Sequence, residues 1–356
     1  MKQMIRGLIA TLLLITTGLM AVEAVKSAAD TASAETNHVR VFTADNSDGK
    51  ITPKTIQSAF EKAGFMVEAN NDMNGPFKRD FNNTNFDVFN LMVLWKKDTF
   101  RELGSKYPKL GLFTPLSMSI YTRKGDKTIS VSSITPEGIA AMTGVPSNEK
   151  ALADLGKSIE GALKSAMPNG HFEKLPYKMK APEGPLVHEA SFKVGDDWED
   201  TKDDLEMKFE GELAPNGFVS PAFVDLNYDL DEHDIDTYEF YDAYSICKIQ
   251  VIYTVSKLHP EAGAFAPCTM YLYLKKGDNT IHMAFPTVHK WISALNITDK
   301  ESIDALKDAQ GKFEKILQKI TGTKKEAAKS NAPKATDAKK STMGGKCGQG
   351  KCSGAK

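Results

Sequence analysis

The sequence predicts an α+β chain built as two homologous tandem domains, each an antiparallel-rich sheet flanked by helices. The first observation behind this is an internal repeat. Residues 107–129, opening Tyr107-Pro-Lys-Leu-Gly-Leu-Phe-Thr-Pro, lie without a gap on residues 259–281, opening His259-Pro-Glu-Ala-Gly-Ala-Phe-Ala-Pro, and eleven of these 23 positions are identical. Chance does not supply that at one fixed offset of 152. The second observation is strand alternation inside the repeat. Leu116, Met118 and Ile120 alternate with polar or aromatic residues, as do Cys268, Met270, Leu272 and Leu274. The third is helical periodicity after each hairpin, from Glu149 to Met167 and from Lys300 to Ile320. Hairpins mixed with helices favour α+β over a doubly wound parallel sheet.

In chain order, each copy reads strand, helix, strand, strand, helix, two hairpin strands and closing helices. Val39 and Val41 match Phe192 and Val194 as a short first strand. In residues 55–65 and 208–218, Ile56 and Phe60 match Phe209 and Leu213, an i, i+4 apolar pair that marks a helix face. Gly64 and Gly217 stand where those helices stop, since glycine accepts the left-handed conformation of a helix end. Phe86-Asp87 and Phe89 resemble Tyr241-Asp242 and Tyr244 at an offset of 155, which makes Met92 the partner of Cys247. Lys124-Gly125-Asp126 and Lys276-Gly277-Asp278 supply the hairpin turns.

The ends are of a different kind. Lys2 and Arg6 precede an apolar run from Gly7 to Val22, and Val22-Glu23-Ala24 places small residues at a cleavage spacing. Residues 1–24 thus read as a secretory signal peptide and 25–36 as a short leader, so the expected location is a bacterial periplasm. The run is short for a membrane span of about 20 residues, and no transmembrane segment is expected in the mature chain. The first repeat domain is assigned to 37–168, a proline-rich linker to 169–185 and the second domain to 186–321. Residues 322–356 read as a disordered Lys/Gly-rich tail, because so few apolar side chains cannot offset the entropy of ordering. The net charge of −1 conceals an uneven distribution. The signal carries +1 and the tail from Thr323 carries +7, which leaves the body at −9. An acidic body disfavours nucleic acid as a partner.

The segment His259-Pro-Glu-Ala-Gly-Ala-Phe-Ala-Pro-Cys268 precedes an alternating strand and a Lys-Gly-Asp turn, and it follows a Gly217-Phe218 pair. In these features the chain resembles the domain of unknown function 302. The resemblance covers both copies and implies a compact fold with an antiparallel sheet flanked by helices; it names no reaction. The first copy departs from the pattern, with Tyr107 and Leu116 in place of His259 and Cys268.

Two sets of residues are candidates for chemistry. In the tail, Cys347 and Cys352 lie among glycines and beside Lys346 and Lys351, which favour the thiolate. Soft thiolates suit Cu(I) or Zn(II), and the segment is similar to the Gly-Lys-Cys-Gly repeats of small exported copper-handling proteins. The expected partners are a metal donor or a thiol partner protein; a disulfide in an oxidising compartment is the plainer alternative. In the second copy, alternation makes Cys247 and Cys268 core thiols. The leading expectation is an exported binding or scaffold protein. The sharper alternative is a sulfur or redox enzyme with Cys268 as nucleophile and His259 as its base, and with His282 as a further member of the site, and a third is a structural interaction module without chemistry. The acidic stretch from Asp225 to Asp242 lacks the spacing of a calcium loop and is expected to be solvated. No His-x3-His pair, serine nucleophile elbow or phosphate loop occurs.

Overall fold

The computed structural model describes residues 37–322. It is an α+β structure of two antiparallel sheets flanked by helices. The first half runs β1 (Val39–Asp45), α1 (Pro53–Lys62), β2 (Met66–Asp72), α2 (Asn74–Phe81), β3 (Phe86–Trp95) and α3 (Lys97–Leu103). A 3₁₀ turn η1 (Pro108–Phe113), β4 (Leu116–Arg123), β5 (Thr128–Ile134), α4 (Pro136–Thr143), α5 (Lys150–Ala166) and β6 (His171–Phe172) follow. The second half repeats the scheme with β7 (Val187–Lys193), α6 (Trp198–Leu213), β8 (Val219–Asp225), α7 (Leu226–Asp231), β9 (Tyr238–Cys247) and α8 (Ile249–Ser256). It closes with η2 (Pro260–Phe265), β10 (Cys268–Lys275), β11 (Thr280–Pro286), α9 (Val288–Ala294) and α10 (Lys300–Thr321). The strand orders β2-β3-β4-β5-β1-β6 and β8-β9-β10-β11-β7 agree strand for strand, apart from the added β6. Among the described residues, no helix is long and apolar enough to cross a membrane.

Local chemistry explains the elements. Thr52 caps α1 with its side chain while Thr55 returns a bond to the Thr52 amide, and Pro53 occupies the first turn. Asp299 caps α10 by accepting from Ser302 N at 2.8 Å. Gly64 and Gly217 take φ of 82° and 75° after the first helix of each half, as the sequence predicts. The short helices α2 and α7 lack an apolar period long enough to show in the sequence. They insert between strands expected to follow one another directly.

The strand registers correct one alignment. Leu94 pairs with Leu116 and Ile246 with Cys268, so the offset of 152 holds throughout β3 and β9. The counterpart of Cys247 is therefore Trp95, not Met92, and that of Asp242 is Asn90. Both strands carry aromatics three residues apart, which is why an offset of 155 also aligns them.

The halves dock through the repeat itself. The η1 turn of the first half lies on β10 and β11, and η2 of the second lies on β4 and β5. Ser117 Oγ donates to the Pro267 carbonyl at 2.7 Å, and its counterpart Thr269 Oγ1 donates to the Pro115 carbonyl at 3.0 Å. Both prolines follow cis peptide bonds. Two glycines allow the close approach. A Cβ on Gly111 would lie 2.2 Å from Tyr241 Oη, and one on Gly263 would lie 2.3 Å from Ser119 Cβ. The receiving faces differ. Ser119 Oγ donates to the Pro260 carbonyl at 2.8 Å, whereas Tyr241 Oη donates to the Pro108 carbonyl from a cluster with Tyr238, Tyr271 and Tyr273.

The flanking helices meet at two related places with opposite chemistry. Between α2 and α8, Phe81 stacks on Tyr253 at 4.0 Å. Between α3 and α7, Arg101 grips buried Asp229 with two bonds of 2.8 Å, and Lys97 adds a third contact at 2.9 Å. Burial raises the Asp229 carboxyl, but the two cations outweigh it and hold the group below its ordinary range. The acidic stretch expected to be solvated therefore supplies an ion pair between halves, and its Asp242 is buried as well. One apolar core runs through both sheets. The proline-rich segment 169–185, read as a linker, is ordered by these contacts. It contributes β6 beside β1, Tyr177 Oη donates to Glu261 at 2.8 Å, and Lys180 Nζ donates to the Ile297 carbonyl at 3.0 Å.

Candidate functional site

The residues with chemical potential in the second half fall into three places. The first is a pocket between the sheet and the helices α8, α9 and α10. Its wall includes Phe218, Met270, Trp291 and Phe313 together with both thiols, Cys247 and Cys268. About 600 Å³ of space not filled by atoms lies there, the open solvent at its mouth included. Both cysteines are free. Burial pushes the Cys247 thiol up to about 12, and the nearby Cys268 adds to the shift. Burial does the same to Cys268, to about 12, against an opposing contact from Trp291. Cys268 begins its strand partly exposed and lining the pocket, and its sulfur donates to the Phe265 carbonyl at 3.2 Å. A thiol so placed is protonated at neutral pH and is a poor nucleophile.

His259 lies elsewhere. It stands at the start of η2, with Nδ1 3.4 Å from Glu261 and Nε2 3.9 Å from Asp299, and its ring meets Tyr177 edge-on. Its polar partners are carboxylates, and the sulfur of Cys268 is not among them. His282 lies at a third position, stacked on Tyr273 with ring centroids 5.0 Å apart and 3.8 Å from Asp278. The three candidates Cys268, His259 and His282 are thus each engaged with a different set of neighbours. Among the described residues, no group of three or more His, Cys, Asp and Glu side chains is arranged to hold a metal ion. Cys347 and Cys352, the candidate ligands for Cu(I) or Zn(II), lie outside the described residues.

Residues 193–320 match the model of the Domain of unknown function DUF302. A DUF302 domain occupies the second half. A solved structure, the uncharacterized conserved protein DUF302 from Bacillus stearothermophilus, is 18% identical with a TM-score of 0.32, covering 38% of this chain and 99% of that one. No curated protein matches the chain. The pocket, both of its thiols and His259 all lie within the DUF302 domain.

Two further buried charges in or beside the DUF302 domain were not legible as such. Asp242 meets Lys202 at 2.9 Å, out of line for a hydrogen bond, and Glu206 shares the same lysine. Burial pushes the Asp242 carboxyl up, against the pull of Lys202. Lys290 is 1% exposed, and its amine contacts His38 Nδ1 of the first half. Burial pulls the Lys290 amine down to about 7, and burial together with Lys290 pulls His38 down to about 4. The only sequence signal for Lys290 is a polar residue on the inward face of a short apolar helix beside Trp291 and Ile292.

Proposed function

We propose that the chain is an exported, non-catalytic binding and scaffold protein. In this reading the two docked halves form a rigid body, and the tail thiols Cys347 and Cys352 take a soft metal ion, Cu(I) or Zn(II), or exchange thiols with a partner protein. One observation carries the non-catalytic part. The Cys268 thiol is pushed up to about 12 and donates to a backbone carbonyl, while His259 is held by Glu261 and Asp299. A sulfur enzyme needs a thiolate within reach of a base, and these two groups serve different neighbours. Export rests on the basic residues and apolar run of 1–24, and soft-metal binding on the spacing of the two tail cysteines among lysines and glycines.

The test is metal analysis of protein purified from a bacterial periplasm. Wild type should carry copper or zinc at up to one equivalent, and C347S/C352S should carry none. Metal-free wild type after supply of Cu(I) and Zn(II) under reducing conditions, with no mixed disulfide at either cysteine, would remove the binding role of the tail. Rapid alkylation of Cys268 in the native protein at neutral pH would restore the enzymatic alternative.

A further inference from the structure

The first half is an internal control for the pocket of the second. At the end of β3 stands Trp95, 4% exposed, with its indole N–H donating to Glu68 at 2.8 Å; at the start of β4 stands Leu116, 2% exposed. At the same register positions the DUF302 domain has Cys247 and Cys268. Of the other wall positions aligned at this offset, the lysine and a methionine are kept, while Phe285 and Trp291 stand where the first half has Ser133 and Ile139. Lys96 donates to the Ala63 carbonyl at 3.0 Å and lies over Phe65, and Lys248 donates to the Asn216 carbonyl at 2.7 Å and lies over Phe218. Met118 and Met270 also correspond. Where the first half carries an indolylmethyl and an isobutyl group, the second carries two mercaptomethyl groups, and both of these residues line the pocket. An apolar wall left open to water at this place is stabilised when an apolar molecule enters.

We propose that this pocket is a binding site for a small uncharged apolar molecule, of the size of a substituted benzene or a branched hydrocarbon. The wall decides the class. Of its two polar side chains, Lys248 is already bonded to Asn216. Gln310 is tied at both ends, accepting from Val288 N at 2.8 Å and donating to Glu314 at 2.8 Å. The wall holds no carboxylate, its one cation Lys248 is turned to the Asn216 carbonyl and the Phe218 ring, and Cys247, Cys268 and Met270 with the rings of Phe218, Trp291 and Phe313 form a polarizable lining. This deepens the binding reading above, but it does not depend on the tail thiols.

The experiment uses full-length protein with fluorobenzene as the probe, followed by fluorine NMR and thermal melting. Wild type should bind one equivalent saturably and melt at higher temperature in its presence. C268L, which restores the first-half residue, should weaken binding at least tenfold and raise the melting temperature without the probe. A309L fills the pocket from α10 and should weaken binding likewise, so a folding failure of one variant leaves the other to decide. C347S/C352S should bind the probe as wild type does, which separates this outcome from the metal test. No saturable binding by wild type would overturn the proposal, as would unchanged binding in a folded C268L or A309L.

Discussion

Replacing Gly263 by alanine tests how tightly the repeat segment of one half is seated in the other. The new Cβ would lie 2.3 Å from Ser119 Cβ, 2.8 Å from Ser119 Oγ and 2.9 Å from Leu91 Cδ2. Ordinary contact begins near 3.4 Å, so η2 must retreat by roughly 1 Å or Ser119 must move. Neither is free, because Ser119 Oγ is bonded to the Pro260 carbonyl and to Ser132 Oγ at 2.7 Å. Overpacking of this kind costs about 1–3 kcal/mol, and for a chain of this size each kcal/mol lowers Tm by about 2–4 °C. G263A should therefore lose about 2–3 kcal/mol in urea unfolding followed by circular dichroism. S119G removes the two nearest of the three clashing atoms and leaves only the movable end of Leu91, so G263A/S119G should be more stable than the sum of the single changes by at least about 1 kcal/mol. A control substitution belongs in the same series. Gly311 sits inside α10 with nothing within 4 Å of an added Cβ, and G311A should stabilise by about 0.5–1 kcal/mol. Wild-type stability for G263A, or strict additivity with S119G, would refute the seating of η2 on β4.

Further expectations concern buried charges and thiols. The folded pKa of Lys290 near 7 lies below the unfolded value near 10.5, so the unfolded chain binds more protons between those limits. Stability should thus rise with pH from about 7 to 10.5, and K290M should flatten that rise while adding up to about 5 kcal/mol at neutral pH; parallel profiles for the two proteins would exclude a buried amine. His38, pulled from 6.5 down to about 4, acts in the same direction at lower pH, so wild type should lose stability as pH falls through that window and H38N should lose less. D229A removes the carboxylate gripped by Arg101 and Lys97; as both cations remain partly exposed and can be hydrated, the cost should be about 1–3 kcal/mol in urea unfolding. Cys247 and Cys268 should resist iodoacetamide at pH 8 in the native protein and react within minutes in denaturant, read by peptide mass spectrometry; rapid native labelling of either would contradict thiols held in the protonated form.

The fold was legible where pattern and spacing carry it. The duplication at an offset of 152, the alternating hairpin strands and the periodic closing helices all follow from sequence, because alternation and i, i+4 spacing are direct consequences of strand and helix geometry. Short helices such as Leu226–Asp231 escape, since six residues make too little periodicity to separate from a polar loop. The docking of the halves escapes for another reason. Gly111 and Gly263 look like turn glycines in sequence, yet what requires them is Tyr241 and Ser119 more than a hundred residues away. The pocket was half visible. Cys247 and Cys268 stood out as core thiols, but alignment to Met92 hid the replacement of a tryptophan. The identity of Lys96 with Lys248 at an offset of 152 was the signal that could have corrected it.

The central claim is that two copies of one fold interlock through their shared segment, and zero-length carbodiimide crosslinking of the unmodified protein tests it most directly. Lys109 on η1 contacts Glu189 on β7, and both side chains are accessible at 42% and 52% exposure. Lys257 and Glu301, 2.8 Å apart within the second half, supply an internal reference. Mass spectrometry of the monomer band should find both the Lys109–Glu189 and the Lys257–Glu301 linkages. Efficient linkage of the reference pair, with Lys109 joined only to carboxylates of its own half, would contradict the interlocked arrangement.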